Sequence, residues 1–245
     1  MQKPKKVKKS KVYGPCAYCG QPGTTKDHVP PQGMFAPGTP DRPWVPACEK
    51  CNHGASEHDQ FMQRLSMVWG AERTHDGVAV GEKILRAMDY KEQRKFNRNL
   101  IRNLSVVNLW SPGGLIWLGQ TFKLKIDGER LAKVLEKVIR GWFWKVTNRP
   151  VPAEYLVTTH LDGQGPTGQP FRENERHLLD FKPTVVGDGA FSIRWVFSPL
   201  DENISVWRME FYRTVSYMGY TTKEVDGHQV FLEIKDPDPP DGPTS

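Results

Sequence analysis

The strongest constraint on this chain is a pair of Cys-x-x-Cys steps, Cys16/Cys19 and Cys48/Cys51, which together hold all four of its cysteines. Two sulfurs spaced in this way can turn toward one ion, and two such pairs supply the ligands of a tetrahedral Zn²⁺ site. The 28 residues between the pairs, Gly20 to Ala47, then form a loop pinned at both ends. That loop carries an Asp27-His28 dipeptide, and Asn52 directly follows the last cysteine. Disulfides fit poorly, because the Lys-rich N-terminus lacks the apolar run of a secretory signal. Spacing alone leaves two readings. One is a zinc clip in a binding module, with Asp27 and His28 as ordinary loop residues. The other is a stapled scaffold that presents Asp27, His28 and Asn52 as a site.

The order C-x-x-C, D-H, C-x-x-C-N over Cys16 to Asp59 resembles the HNH nucleases. It is most similar to their zinc-stapled branch, with its phage-type junction resolvases and McrA-like restriction enzymes. The segment DHVPPQGMF…VPACEKCN also resembles small bacterial HNH endonucleases. The resemblance implies a ββα-metal unit in which the four cysteines hold a structural Zn²⁺. It implies that Asp27 and Asn52 bind a catalytic Mg²⁺ or Mn²⁺ and that His28 is the general base for phosphodiester hydrolysis in DNA. Two alternatives stay open: a non-catalytic zinc module that binds nucleic acid or protein, and an RNase or effector toxin. One departure stands out. Many members carry an Asn or His before the second knuckle to orient the base, whereas Arg42 to Ala47 reads RPWVPA.

Charge has a location. Lys3, Lys5, Lys6, Lys8, Lys9 and Lys11 take six of the 34 Lys and Arg, leaving 28 against 28 Asp and Glu. The net charge of +6 therefore sits in residues 1–12, which carry no acid. Such a run is expected to be a disordered tail, either an arm on the phosphate backbone or a solubilising or sorting segment. No apolar stretch approaches the ~20 residues of a membrane span, so a cytoplasmic protein with no membrane partner is expected.

The expected class is α+β: a small zinc-stapled ββα domain over 13–69, then a larger domain over 80–235 with a mainly antiparallel sheet. Residues 70–80 read as a linker and 236–245 as a polar, Pro-rich tail. A helix is expected from Asn52 to about Trp69, and another over Glu82 to Leu104 with a basic stripe of Lys91, Lys95, Arg98 and Arg102. Val106–Trp110 and Leu115–Gly119 flank a Ser-Pro-Gly-Gly turn and predict a hairpin, continued by Thr121–Ile126. Asp127 is the expected N-cap of a helix through about Arg140, with Leu131, Leu135 and Val138 inward and Lys133, Lys137 and Arg140 outward. Trp142-Phe143-Trp144 reads as core. Strands are expected at Tyr155–Thr159, Ala190–Ser198, Ser205–Tyr212 and Val230–Ile234. His53 and His58 read as exposed.

Overall fold

The computed structural model describes residues 11–54, 56–65, 74–87, 98, 102–111, 113–162, 178–225 and 228–230. It is an α+β protein. The first segment opens with two short strands, β1 (Gly14–Pro15) and β2 (Pro22–Gly23), paired antiparallel. The hairpin of β3 (Thr25–His28) and β4 (Trp44–Ala47) follows, with a 3-10 turn at Gln32–Met34 in its long loop. Helices α1 (Glu49–His53) and α2 (Ser56–Leu65) complete a ββα arrangement. The helix expected after Asn52 thus starts three residues earlier, at Glu49. Cys48 is its N-cap, and the Cys48 Sγ accepts from the Cys51 N–H at 3.5 Å. Residues 66–69 lie outside the described residues.

Helix α3 (His75–Ala87) occupies much of the expected linker. Its start is tied down from two sides. The Thr74 hydroxyl accepts from Gly77 N at 3.0 Å. The buried Asp76 carboxylate accepts from Ala36 N at 3.0 Å and from Thr39 Oγ1 at 2.6 Å. The helix expected to reach Leu104 does not do so, because Leu104 opens β5 (Leu104–Trp110). Lys91 and Lys95 lie outside the described residues, while Arg98 and Arg102 are exposed. Strand β5 pairs with β6 (Trp117–Leu124) as the predicted hairpin.

Helix α4 (Gly128–Thr147) organises the rest. Asp127 caps it as expected, accepting from Arg130 N at 3.1 Å, and Asn148 ends it in the left-handed region. It runs seven residues beyond the expected end, because Trp142 and Phe143 are core. The main sheet contains β7 (Tyr155–Leu161), β8 (Thr184–Val186), β9 (Phe191–Phe197), β10 (Ser205–Phe211), β11 (Val215–Val225) and β12 (His228–Val230). Its order is β12-β11-β10-β9-β8, with β7 also pairing with β11, and every pairing is antiparallel. Alternation gives β9 and β10 one aromatic face, in which Trp207 lies opposite Trp195 and Phe211 opposite Phe191. Trp142 packs on Phe191 and Trp195 with ring centroids 6.0 and 6.1 Å away, and Phe143 packs on Phe197 at 5.7 Å.

Two glycines allow α4 to sit this close on both sides. A Cβ at Gly219 in β11 would meet Ile139 Cδ1 at 2.1 Å. One at Gly141 would meet Val29 Cγ1 at 2.6 Å. Helix α4 is therefore sandwiched between the sheet and the cysteine-bearing hairpin. One apolar cluster runs from Ala17, Val29 and Val45 through Val138 and Ile139 to Trp207 and Tyr217, crossing the expected boundary at 69–80. None of the described helices is long and apolar enough to cross a membrane.

Candidate functional site

The cysteines meet because two different backbone devices aim them at one point. In the first knuckle, Gly20 N donates to Cys16 O at 2.9 Å and Cys16 N donates to Gln21 O at 2.7 Å. Gly20 closes the turn at φ +73, a conformation that glycine adopts without strain. In the second knuckle, the first turn of α1 lifts Cys48 and Cys51 to the same side, with Asn52 N on Cys48 O at 3.0 Å. All four Sγ atoms lie within 4.8 Å of one another, and Cys19 and Cys48 are 3.7 Å apart. Zn–S bonds of about 2.3 Å in a tetrahedron place sulfurs about 3.8 Å apart, so the cluster can hold a zinc ion. The backbone N–H of Cys51 draws the Cys48 thiol down to about 7, against the effect of burial. Burial raises the thiols of Cys19 and Cys51. A soft cation that binds all four as thiolates suits this crowded set.

The dipeptide ends β3, where Asp27 pairs with Val45 and His28 with Trp44. Alternation sends Thr25 and Asp27 to one face and Lys26 and His28 to the other. On the second face, Lys26 Nζ sits 4.1 Å from the centroid of Trp44. His28 Nδ1 lies 3.3 Å from the Pro43 carbonyl. A carbonyl only accepts, so this contact places the proton on Nδ1 and leaves Nε2 of the neutral ring as an acceptor. A main-chain carbonyl, rather than a side chain of Arg42–Ala47, thus orients the His28 ring.

Asn52 is docked on the hairpin. Its Nδ2 donates to Thr25 Oγ1 at 3.0 Å and to Lys26 O at 3.3 Å. The Thr25 hydroxyl itself donates to Ala47 O at 2.8 Å, so both partners of Nδ2 accept. This fixes the amide orientation and leaves the Asn52 Oδ1 without a hydrogen bond among the described residues.

Asp27 is buried and already engaged. Tyr18 Oη donates to Asp27 Oδ2 at 2.7 Å, and Lys137 Nζ lies 3.0 Å from the same oxygen. Lys137 also reaches Asp59, at 3.2 Å to Oδ1 and 3.0 Å to Oδ2. The expectation that Lys137 faces outward is overturned, since its side chain is only 10% exposed. The pattern of α4 marked one apolar face, yet the helix is covered on two. Burial raises the Asp59 carboxyl above its ordinary range, and the Lys137 ammonium pulls it back. Burial, with Asp27's charge added, holds the Tyr18 hydroxyl well above its usual value, so it remains a donor. His58 is half-buried rather than exposed.

The residues that the sequence did not single out are therefore Tyr18, Asp59 and Lys137. A weak signal existed for Tyr18, which lies inside the first knuckle. A cleft of about 770 Å³ opens beside this cluster, lined by Tyr18, Lys50, His58, Lys133, Lys137 and Arg140 among others. Of the N-terminal lysines, Lys3, Lys5, Lys6, Lys8 and Lys9 lie outside the described residues. Lys11 is exposed, with its Nζ 5.3 Å from the Tyr13 ring centroid.

Four sulfurs suit a soft cation. Fold and site together define an α+β protein with a four-cysteine cluster that can bind zinc. The chain matches no family model, no curated protein and no solved structure.

Proposed function

We propose that this protein is an HNH-type endonuclease that hydrolyses phosphodiester bonds in DNA, with Zn²⁺ on Cys16, Cys19, Cys48 and Cys51. The observation that carries the reading is the His28 contact. A ring whose Nδ1–H is held by Pro43 O presents Nε2 as a base, at the end of a hairpin pinned by the four cysteines. Nε2 takes a proton from water as the water oxygen bonds to phosphorus. The P–O bond to the leaving oxygen breaks, and the leaving oxygen gains a proton from solvent. Asp27 and Asn52 would hold a Mg²⁺ or Mn²⁺ ion, whose chemistry there would be charge stabilisation at the phosphate. The lysine tail, with Lys50 and Lys133 at the cleft, favours a polyanionic substrate, DNA first and RNA second.

A second reading is favoured by one observation. The engagement of Asp27 Oδ2 by Tyr18 and Lys137 also fits a carboxylate with a purely structural role, and so a zinc module that binds without cutting. Plasmid nicking with Mg²⁺, Mn²⁺ or EDTA separates the two. The endonuclease nicks with metal and stops with EDTA, and His28→Ala loses about 10²–10⁴-fold while keeping zinc. Full cleavage by His28→Ala, or none by the wild type, moves the assignment to the binding module. The same assay on RNA tests the remaining alternative.

A further inference from the structure

The buried ammonium of Lys137 is hydrogen-bonded asymmetrically. Asp59 gives it both carboxylate oxygens, at 3.2 and 3.0 Å, so this acid serves as an anchor. Asp27 gives only Oδ2, and Tyr18 Oη donates to that same oxygen. The Tyr18 hydroxyl and the ion-paired ammonium therefore converge on one oxygen, and Asp27 Oδ1 accepts no hydrogen bond among the described residues. A structural ion pair needs only one carboxylate per ammonium. Here two carboxylates surround one ammonium, at side-chain exposures of 7% for Asp27 and 23% for Asp59. The excess negative charge in so dry a place costs stability unless a further cation or proton offsets it.

The reach of Lys137 is also built into the backbone. Gly141 stands one helical turn after Lys137, on the same face of α4. Its missing side chain lets Val29, two residues beyond Asp27, lie against the helix. The close approach that seats the hairpin on α4 is the one that brings the ammonium to Asp27.

We propose that Lys137 is a positioning residue of the phosphodiesterase site. Anchored by Asp59, it holds Asp27 through Oδ2 so that Oδ1 alone is presented to a divalent cation. This rests on the endonuclease reading for its catalytic consequence, but it concerns a cation site that can be measured without cleavage.

The test uses zinc-loaded, full-length protein. Lys137→Met alone leaves two buried acids unpaired and risks misfolding, so the main variant is Lys137→Met with Asp59→Asn, which removes one charge of each sign. Mn²⁺ alone is titrated by electron paramagnetic resonance in the His28→Ala background, and kcat and KM for plasmid are measured with His28 intact. The expected result is a loss of about 10–100-fold in Mn²⁺ affinity and in kcat, with KM for DNA unchanged and zinc content retained. Lys137→Arg, which can still bridge two carboxylates, should recover part of both losses. Wild-type Mn²⁺ affinity in the double variant overturns the proposal and leaves Lys137 as a clamp between hairpin and helix. So does a wild-type protein that binds no Mn²⁺. Absence of cleavage by a wild type that does bind Mn²⁺ overturns the endonuclease reading alone, and the titration then still decides the role of Lys137.

Discussion

The stapled hairpin and the aromatic sheet are held together in different ways. Between Tyr13 and Asn52 the fully apolar burial comes from a few small or medium side chains, such as Ala17, Val45 and Met34, and four thiols meet at one point. Across α4 and β9–β11 the buried residues include Trp142, Phe143, Phe191, Trp207 and Phe211, spread over many contacts. A region held by a few ligands fails all at once, and one held by distributed burial fails by degrees. The two regions meet at Val29–Gly141 and at Lys137, so the structure also shows where one depends on the other.

The largest expected effect is at the staple. The purified protein should carry one Zn²⁺ per chain by elemental analysis, and Cys48→Ser should lose it. Because apparent zinc-binding energies of about 10–16 kcal/mol are folding energies in small units, hydrogen exchange across residues 13–54 should become fast. Protection in β9, β10 and β11 should persist. Loss of protection in both regions would erase the distinction between them.

Next comes the distributed core. Trp207 is fully buried between Trp195 and Phe197, with ring centroids 5.9 and 5.8 Å away, and its Nε1 donates to Ser205 Oγ at 2.7 Å. Trp207→Ala should cost about 3–5 kcal/mol in urea unfolding. Folded protein at low urea should keep its zinc.

A smaller effect tests the seam. Gly141→Ala puts a methyl against Val29, and overpacking of this kind costs about 1–3 kcal/mol. The better helix propensity of alanine returns up to about 1 kcal/mol. The net loss should be about 1 kcal/mol, and adding Val29→Ala should restore it. No restoration in the double variant would mean that the strain is relieved elsewhere.

The difference between the regions also explains what could be read from the sequence. Spacing alone located the cysteine cluster, because ligand geometry is local to each knuckle. Asp127 announced the start of α4, and the alternation of Phe191, Ile193, Trp195 and Phe197 announced β9. Strand β11 was missed although it is long, since Gly219 interrupts its pattern and is needed only because Ile139 crosses there. Lys137 was misplaced for the same kind of reason. Its spacing with Lys133 and Arg140 marks a solvated face, and its partners Asp27 and Asp59 lie far away along the chain. The orientation of His28 was equally out of reach, because a main-chain carbonyl carries no sequence signature.

The smallest expected effect separates the seam from the staple by pH. Burial raises the Asp59 carboxyl and the Lys137 ammonium opposes it, with burial the larger influence. An unfolded aspartate titrates near pH ~3.9. A raised folded value means that the folded state holds the proton more tightly, so protonation of Asp59 favours the fold. That contribution is fully present below the unfolded value and is lost as pH rises through the folded one. Wild-type stability relative to Asp59→Asn should therefore fall as pH rises from about 4, and level off once both states are ionised. Acid also strips a cation from thiolates, but both proteins share the same four cysteines, so that loss cancels in the difference. Urea unfolding of the pair across this window is the measurement. A difference that rises with pH instead would show that the ion pair with Lys137 outweighs burial, and that the seam is held by charge rather than strained by it.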